Sequence, residues 1–253
     1  MGKMKLFCLP YAGGGAGSFS KWRKYLHPEI ELIPVELAGR GSRMREPLYR
    51  DAYEAIEDVF QHIKGETGKG PYAIFGHSMG SMIGYYVIRK IRDNHLPGPL
   101  HAFFSGREAP HIKREDKKKY HLMSDADFQQ EIIDLGGTPP EFFEHPELVE
   151  VFLPVLKNDF KIAECGVEDT GIQPLDIDIT IFLGRDEDLS ADECDGWKYH
   201  TKKYCTTHYF PGGHFFLQEE TERLLGLIDN TMRACCKDLS TTAQKSHAVR
   251  YPY

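Results

Sequence analysis

Strand-like apolar runs and helix-like periodic segments alternate along most of this chain. Residues 5–10 and 31–37 read as strands, the second followed by the turn Gly39-Arg40-Gly41. Residues 52–64 carry Ile56, Val59, Phe60 and Ile63 on one side, the 3.6-residue pattern of an amphipathic helix. A compact apolar run, Tyr72-Ala73-Ile74-Phe75, reads as a buried strand, with a helix-like segment at 81–92. Further strands are predicted at 100–105, 177–183 and 206–210, and helices at 192–202 and 219–236. Strands separated by helices predict an α/β fold, a mostly parallel central sheet with helices on both faces.

One stretch breaks the alternation. From residue 107 to 171 there is helical pattern and turn signal but no convincing strand. Ser124 heads a helix over 124–135 with Asp127 three residues on, and Gly136-Gly137 stops it. Pro139-Pro140 restart the chain, and 146–160 resumes a helical pattern that Pro154 is expected to kink or split. Phe142, Phe143, Val151, Phe152, Leu153 and Val155 give this insertion the apolar content of a surface that covers something, the character of a lid. The plainer alternative is an ordinary helical elaboration of the fold.

Composition narrows the class. At 253 residues the chain fits one large domain, expected over 1–237, with 238–253 a flexible tail lacking periodicity. A formal net charge of −7 argues against a nucleic-acid binder. No apolar run approaches the roughly 20 residues of a membrane span, and the first ten residues do not read as a signal peptide. The six cysteines form no Cys-x-x-Cys pair, so a reduced, cytoplasmic setting is expected. Residues 113–119 are mostly basic, which reads as a solvated face or, more sharply, as a contact for an acidic partner. Internal repeats, a zinc pattern, a P-loop and a dinucleotide fingerprint are all missing from the sequence.

The chemistry concentrates at Gly76-His77-Ser78-Met79-Gly80, a Gly-x-Ser-x-Gly directly behind a strand and ahead of a helix. In that context the serine sits on a tight turn that lifts its Oγ clear of the sheet, and the next backbone N–H faces an incoming oxyanion. This is a nucleophile elbow, and it points to the α/β-hydrolase fold. Such a serine needs a base and an acid in the chain order Ser, Asp/Glu, His. Of the 12 histidines, His214 alone follows two glycines just past the last strand. The acid is sought after strand 177–183, where Asp186, Glu187 and Asp188 stand in a row; their chemistry alone leaves all three open. For the oxyanion hole, the amides of Met79 and of Ala12, in the glycine-rich run after the first strand, form the expected pair.

These motifs resemble a known family. Leu9-Pro10-Tyr11-Ala12-Gly13-Gly14 with Phe19 and Trp22, then Pro34-Val35-Glu36-Leu37-Ala38-Gly39-Arg40-Gly41, then the elbow, are similar to type II thioesterases. Ser105-Gly106-Arg107-Glu108-Ala109-Pro110, Leu135-Gly136-Gly137-Thr138-Pro139 and Pro211-Gly212-Gly213-His214-Phe215 continue the likeness, in order, to about Met232. The resemblance implies an α/β-hydrolase with a helical lid and a Ser78–His214 pair completed by an acid. It implies hydrolysis of misloaded acyl or aminoacyl groups from the 4′-phosphopantetheine arm of carrier proteins in non-ribosomal peptide or polyketide synthesis. Medium-chain fatty acyl release or general carboxylester hydrolysis is the alternative. No metal and no cofactor of its own are implied, since the pantetheine arrives with the substrate; a monomer is expected. The family usually shows Gly-x-x-Asp at the acid loop, whereas counting from Gly184 lands on Glu187. With aspartate favoured by the family, Asp186 heads the assignment, Asp188 stands beside it and Glu187 behind.

Overall fold

The computed structural model describes residues 3–112, 118–168 and 171–248. Six strands form one sheet: β1 (Met4–Leu9), β2 (Ile30–Pro34), β3 (Tyr72–His77), β4 (His101–Ser105), β5 (Asp178–Gly184) and β6 (Cys205–Phe210). Their order is β2-β1-β3-β4-β5-β6 and every neighbouring pair is parallel, so the expected α/β architecture is realised. Residues alternate between faces along each strand. Tyr72 and Ile74 of β3 therefore enter one core with Phe7, Leu9, Phe104 and Ile181, while Ala73 and Phe75 enter another with Leu6, Phe103 and Phe210.

The first core is closed by α1 (Ala52–Lys64) and α2 (Met79–Asp93), through Ile56, Val59, Phe60 and Ile63 of the amphipathic stripe and Ile83, Val87 and Ile91 of α2. Asp51 caps α1, its carboxylate accepting the Glu54 N–H at 2.9 Å. The second core is closed by a 3-10 segment (Ala16–Lys24), which buries Phe19 and Trp22, and by Leu224, Leu225, Ile228 and Met232 further along the chain. A third, smaller cluster belongs to the insertion. Its helices α3 (Asp125–Leu135) and α4 (Pro146–Cys165) bury Phe128, Ile132, Leu153 and Leu156 against each other. Ser124 caps α3 as the sequence implied, accepting the Asp127 N–H at 3.2 Å.

Local expectations fail where tertiary context intervenes. β2 ends at Pro34, which cannot donate to a ladder, rather than at residue 37. Pro154 does not split α4: its ring is exposed, so the helical carbonyl left without an N–H partner stays near water. The helix expected over 192–202 breaks into α5 (Ala191–Asp195) and a 3-10 turn (Gly196–His200), with Gly196 pressed against Ala109 and His111. After the short α6 (Phe216–Glu219), the last helix, α7 (Thr221–Ala248), continues past residue 237 to Ala248 instead of ending near Cys236. Extending an existing helix costs far less than nucleating one. Among the described residues, no helix is long and apolar enough to cross a membrane.

Strand order places the functional end of the sheet. The chain moves outward from β1 to β2 and then returns past β1 to β3, so the direction of winding reverses between β1 and β3. In open α/β sheets ligands bind beyond the C-terminal strand ends at this reversal. The loops leaving β1 and β3 are the glycine-rich run and the Gly76–Gly80 elbow.

Candidate active site

The elbow is built by two glycines that admit no side chain. A Cβ on Gly76 would lie 2.2 Å from the Gly80 carbonyl oxygen, and one on Gly80 would lie 2.2 Å from the Leu9 carbonyl oxygen. Between them Ser78 is held at φ 54°, a conformation that costs a non-glycine residue roughly 1–3 kcal/mol. The strain is sustained from β4: the Ser78 N–H donates to the Ser105 carbonyl at 2.7 Å. Ser81 Oγ lies within 2.8 Å of both the Gly76 and Ser105 carbonyls and accepts the Ser105 N–H at 2.9 Å. Ser78 is thereby presented at the N-terminus of α2, with the buried Met79 as its first residue.

His214 arrives on the turn after β6. Gly212 takes φ 92°, and a Cβ on Gly184 would strike the Gly213 carbonyl at 2.4 Å, so the acid loop and histidine loop are packed backbone to backbone. His214 Nδ1 lies 3.2 Å from Glu187 Oε2. Glu187 is itself fixed, its Oε1 accepting the Gly184 N–H at 2.8 Å, and its side chain is only 6% exposed. This corrects the assignment of Asp186 or Asp188. Both are exposed, and the Asp186 backbone N–H is used instead to tie the loops through the Gly212 carbonyl. The turn points residue 187 inward, and the longer glutamate reaches the imidazole.

The His214 ring lies 4.9 Å, centroid to centroid, from His77. His77 is fully buried, with Nδ1 2.8 Å from Ser105 Oγ. Burial, and secondarily the facing His214, push its pKa well down, so it is neutral at physiological pH. Gly106 at φ 62° leaves room for this pair, since a Cβ there would lie 2.5 Å from His77 Cε1 and 3.2 Å from His214 Cε1.

Ala12 lies just past the Leu9 and Pro10 carbonyls that abut Gly80, and packs against the insertion's apolar cluster. The insertion meets both loops that flank Ser78. Gly137 is seated on the Phe215 ring beside His214, and Gly13, next to Ala12, lies under Leu156 and Phe152 of α4. It is placed as a lid. The basic run 113–119 lies outside the described residues except for Lys118 and Lys119, and Lys118 is paired with Glu131 at 2.7 Å.

Residue patterns gave no warning of two supports. Ser81 and Ser105 are short polar residues in apolar surroundings, unremarkable until the elbow closes on them. Asp159 left no signal either: it follows Lys157 and Asn158 on α4 and reads as one more polar position, yet it is fully buried.

Residues 4–232 match the Thioesterase domain family. The chain is 35% identical over 233 residues to the gramicidin S biosynthesis protein GrsT of Aneurinibacillus migulanus, covering 91% of this chain and 90% of that one. It is 33% identical to the medium-chain S-acyl fatty acid synthase thioesterase of Homo sapiens, covering 91% and 86%. Among solved structures, ClbQ from the colibactin NRPS/PKS pathway superposes with a TM-score of 0.86 at 35% identity, covering 92% of this chain and 98% of that one. The likeness runs across nearly the whole chain, which belongs to the thioesterase domain family: it is a thioester hydrolase of the α/β-hydrolase fold, akin to the type II thioesterases.

Proposed function

We propose that this enzyme releases misloaded acyl or aminoacyl groups from the 4′-phosphopantetheine arm of carrier proteins serving non-ribosomal peptide or polyketide synthesis. The observation that carries the chemistry is the left-handed Ser78 at the head of α2, with His214 and Glu187 joined at 3.2 Å on the adjacent loops. His214 takes the Ser78 proton as Oγ attacks the thioester carbonyl, and Glu187 stabilises the resulting imidazolium. The Met79 and Ala12 amides bind the tetrahedral oxyanion. Collapse expels the pantetheine thiol, protonated by His214, and water activated by the same imidazole then frees the acid and restores Ser78. The lid, resting on both loops, gives a flexible arm and a short acyl group their way in. The carrier protein as partner rests on the likeness to proteins of peptide and polyketide pathways.

A second reading, release of medium-chain fatty acids, draws on the likeness to the human fatty acid synthase thioesterase and on the lid aromatics Phe142, Phe143 and Phe152. Incubation with acetyl-, aminoacyl- and decanoyl-loaded carrier proteins, read by intact mass, separates the two. Fast release of short groups, lost in Ser78→Ala, supports editing; release confined to the decanoyl carrier supports the second reading. Untouched carriers with rapid cleavage of p-nitrophenyl esters would overturn both.

A further inference from the structure

The lid helix carries a charge to the oxyanion loop. Asp159 of α4 is fully buried, yet three hydrogen bonds converge on its carboxylate. The Gly13 N–H donates to Oδ2 at 2.7 Å, and the Arg40 guanidinium binds in fork geometry, Nη1 to Oδ2 at 2.5 Å and Nη2 to Oδ1 at 2.7 Å. Arg40 in turn donates from Nη1 to the Gly14 carbonyl at 2.9 Å and from Nε towards the Ala38 carbonyl at 3.4 Å. Asp159 and Arg40 thus grip the backbone of both residues that follow Ala12, one by its N–H and the other by its carbonyl. Apolar contacts reinforce the grip: Leu156 and Phe152, one and two turns earlier on the same face of α4, lie over the Cα of Gly13.

Gly13 itself is at φ 77°, where a side chain would be strained, and it has no room for one. A loop of consecutive glycines is intrinsically loose, because glycine has the widest choice of backbone states. An oxyanion donor is useful only if it is already aimed, since the benefit comes from dipoles that need no reorganisation during reaction. Nothing local to Ala12-Gly13-Gly14 supplies that rigidity beyond the turn hydrogen bond from the Gly14 N–H to the Tyr11 carbonyl at 2.9 Å.

We propose that Asp159 is a positioning residue: with Arg40 it locks the loop after β1 so that the Ala12 amide points at the developing oxyanion, making the seated lid helix part of the oxyanion hole. This rests on Ser78 as nucleophile and Ala12 as donor. Removing an oxyanion donor outright costs about 10²–10³-fold in kcat, and letting one drift costs up to that much.

The test measures acetyl- and butyryl-pantetheine hydrolysis by wild type, Ser78→Ala, Asp159→Asn, Asp159→Leu and the paired Arg40→Met/Asp159→Leu. Rates are expressed per Ser78 titrated to completion with a fluorophosphonate, so an unfolded fraction does not enter; Ser78→Ala, which has no such group, is expressed per total folded protein. Inhibition by a trifluoromethyl ketone thioester analogue, which forms an oxyanion adduct, is measured alongside. Asp159→Leu is expected to lose roughly 10²-fold in kcat, with KM nearly unchanged and the analogue weakened in proportion. Asp159→Asn, which keeps an oxygen for the Gly13 N–H, should recover part of the loss. The paired variant removes both buried charges, so its thermal midpoint should return towards wild type, while its kcat stays low. Recovery of kcat along with the midpoint would overturn the proposal and leave Asp159 a structural residue, as would a change confined to KM. An inactive wild type, or full activity in Ser78→Ala, would instead overturn the reading of the active site itself.

Discussion

Replacing Glu187 by Gln removes one negative charge from a contact whose geometry fixes the consequence. At the observed 3.2 Å between Glu187 Oε2 and His214 Nδ1, a full charge pair in a medium of effective dielectric about 20 is worth about 5 kcal/mol. The His214 side chain is 29% exposed, so water screens part of this. A loss of about 4 kcal/mol in stabilising the imidazolium corresponds to roughly a 10³-fold fall in kcat. The amide also disturbs the tautomer. Its single carbonyl oxygen is claimed by the Gly184 N–H, which now donates to Oε1 at 2.8 Å. The amide NH2 then faces Nδ1, which must accept, so the proton sits on Nε2 and the ring cannot take one from Ser78. Glu187→Asp, one methylene short, should lose about tenfold, whereas Asp186→Ala and Asp188→Ala should stay within about threefold of wild type, because both side chains are exposed. The assay is steady-state hydrolysis of acyl-pantetheine, with the pH profile of kcat/KM recorded for each variant. Near wild-type turnover in Glu187→Gln together with collapse in Asp186→Ala would refute the reasoning and restore the aspartate.

Three further outcomes are expected. Gly80→Ala places a methyl 2.2 Å from the Leu9 carbonyl oxygen and should cost more than about 4 kcal/mol or abolish soluble expression, read by urea unfolding. Phe75→Ala empties a fully buried site packed on Trp22 at 4.9 Å and Phe19 at 6.2 Å, and should cost about 3–5 kcal/mol by the same assay. Acid should destabilise the fold through two buried imidazoles: burial pushes His101 down to about 4, and burial and the neighbouring His214 push His77 well down. Each contribution is fully present above the unfolded-state pKa near 6.5. It falls by up to about 1.4 kcal/mol per pH unit below that, because the unfolded chain protonates first. Urea midpoints measured from pH 7 to pH 4 should fall, less steeply in His101→Asn; a flat profile would contradict the burial.

Period and punctuation determined much of this protein. The unbroken apolar run at Tyr72–Phe75 and the stripe of Ile56, Val59, Phe60 and Ile63 are local properties, so the strand, the helix and their α/β arrangement followed from the residues alone. The same holds for Ser78 and His214, because the glycines at 76, 80, 212 and 213 reflect backbone geometry demanded within a few positions of each. Which carboxylate meets His214 did not follow. Asp186, Glu187 and Asp188 are chemically equivalent in sequence, and only the packing of the Gly184 turn against Gly212 and Gly213 decides which one is turned inward. Nor did the lid's seating on the site follow: the Asp159–Arg40 pair joins positions 119 residues apart and exists only once α4 lies across the loop after β1. Short-range rules write themselves into spacing; a long-range contact between two unlike elements leaves no period to read.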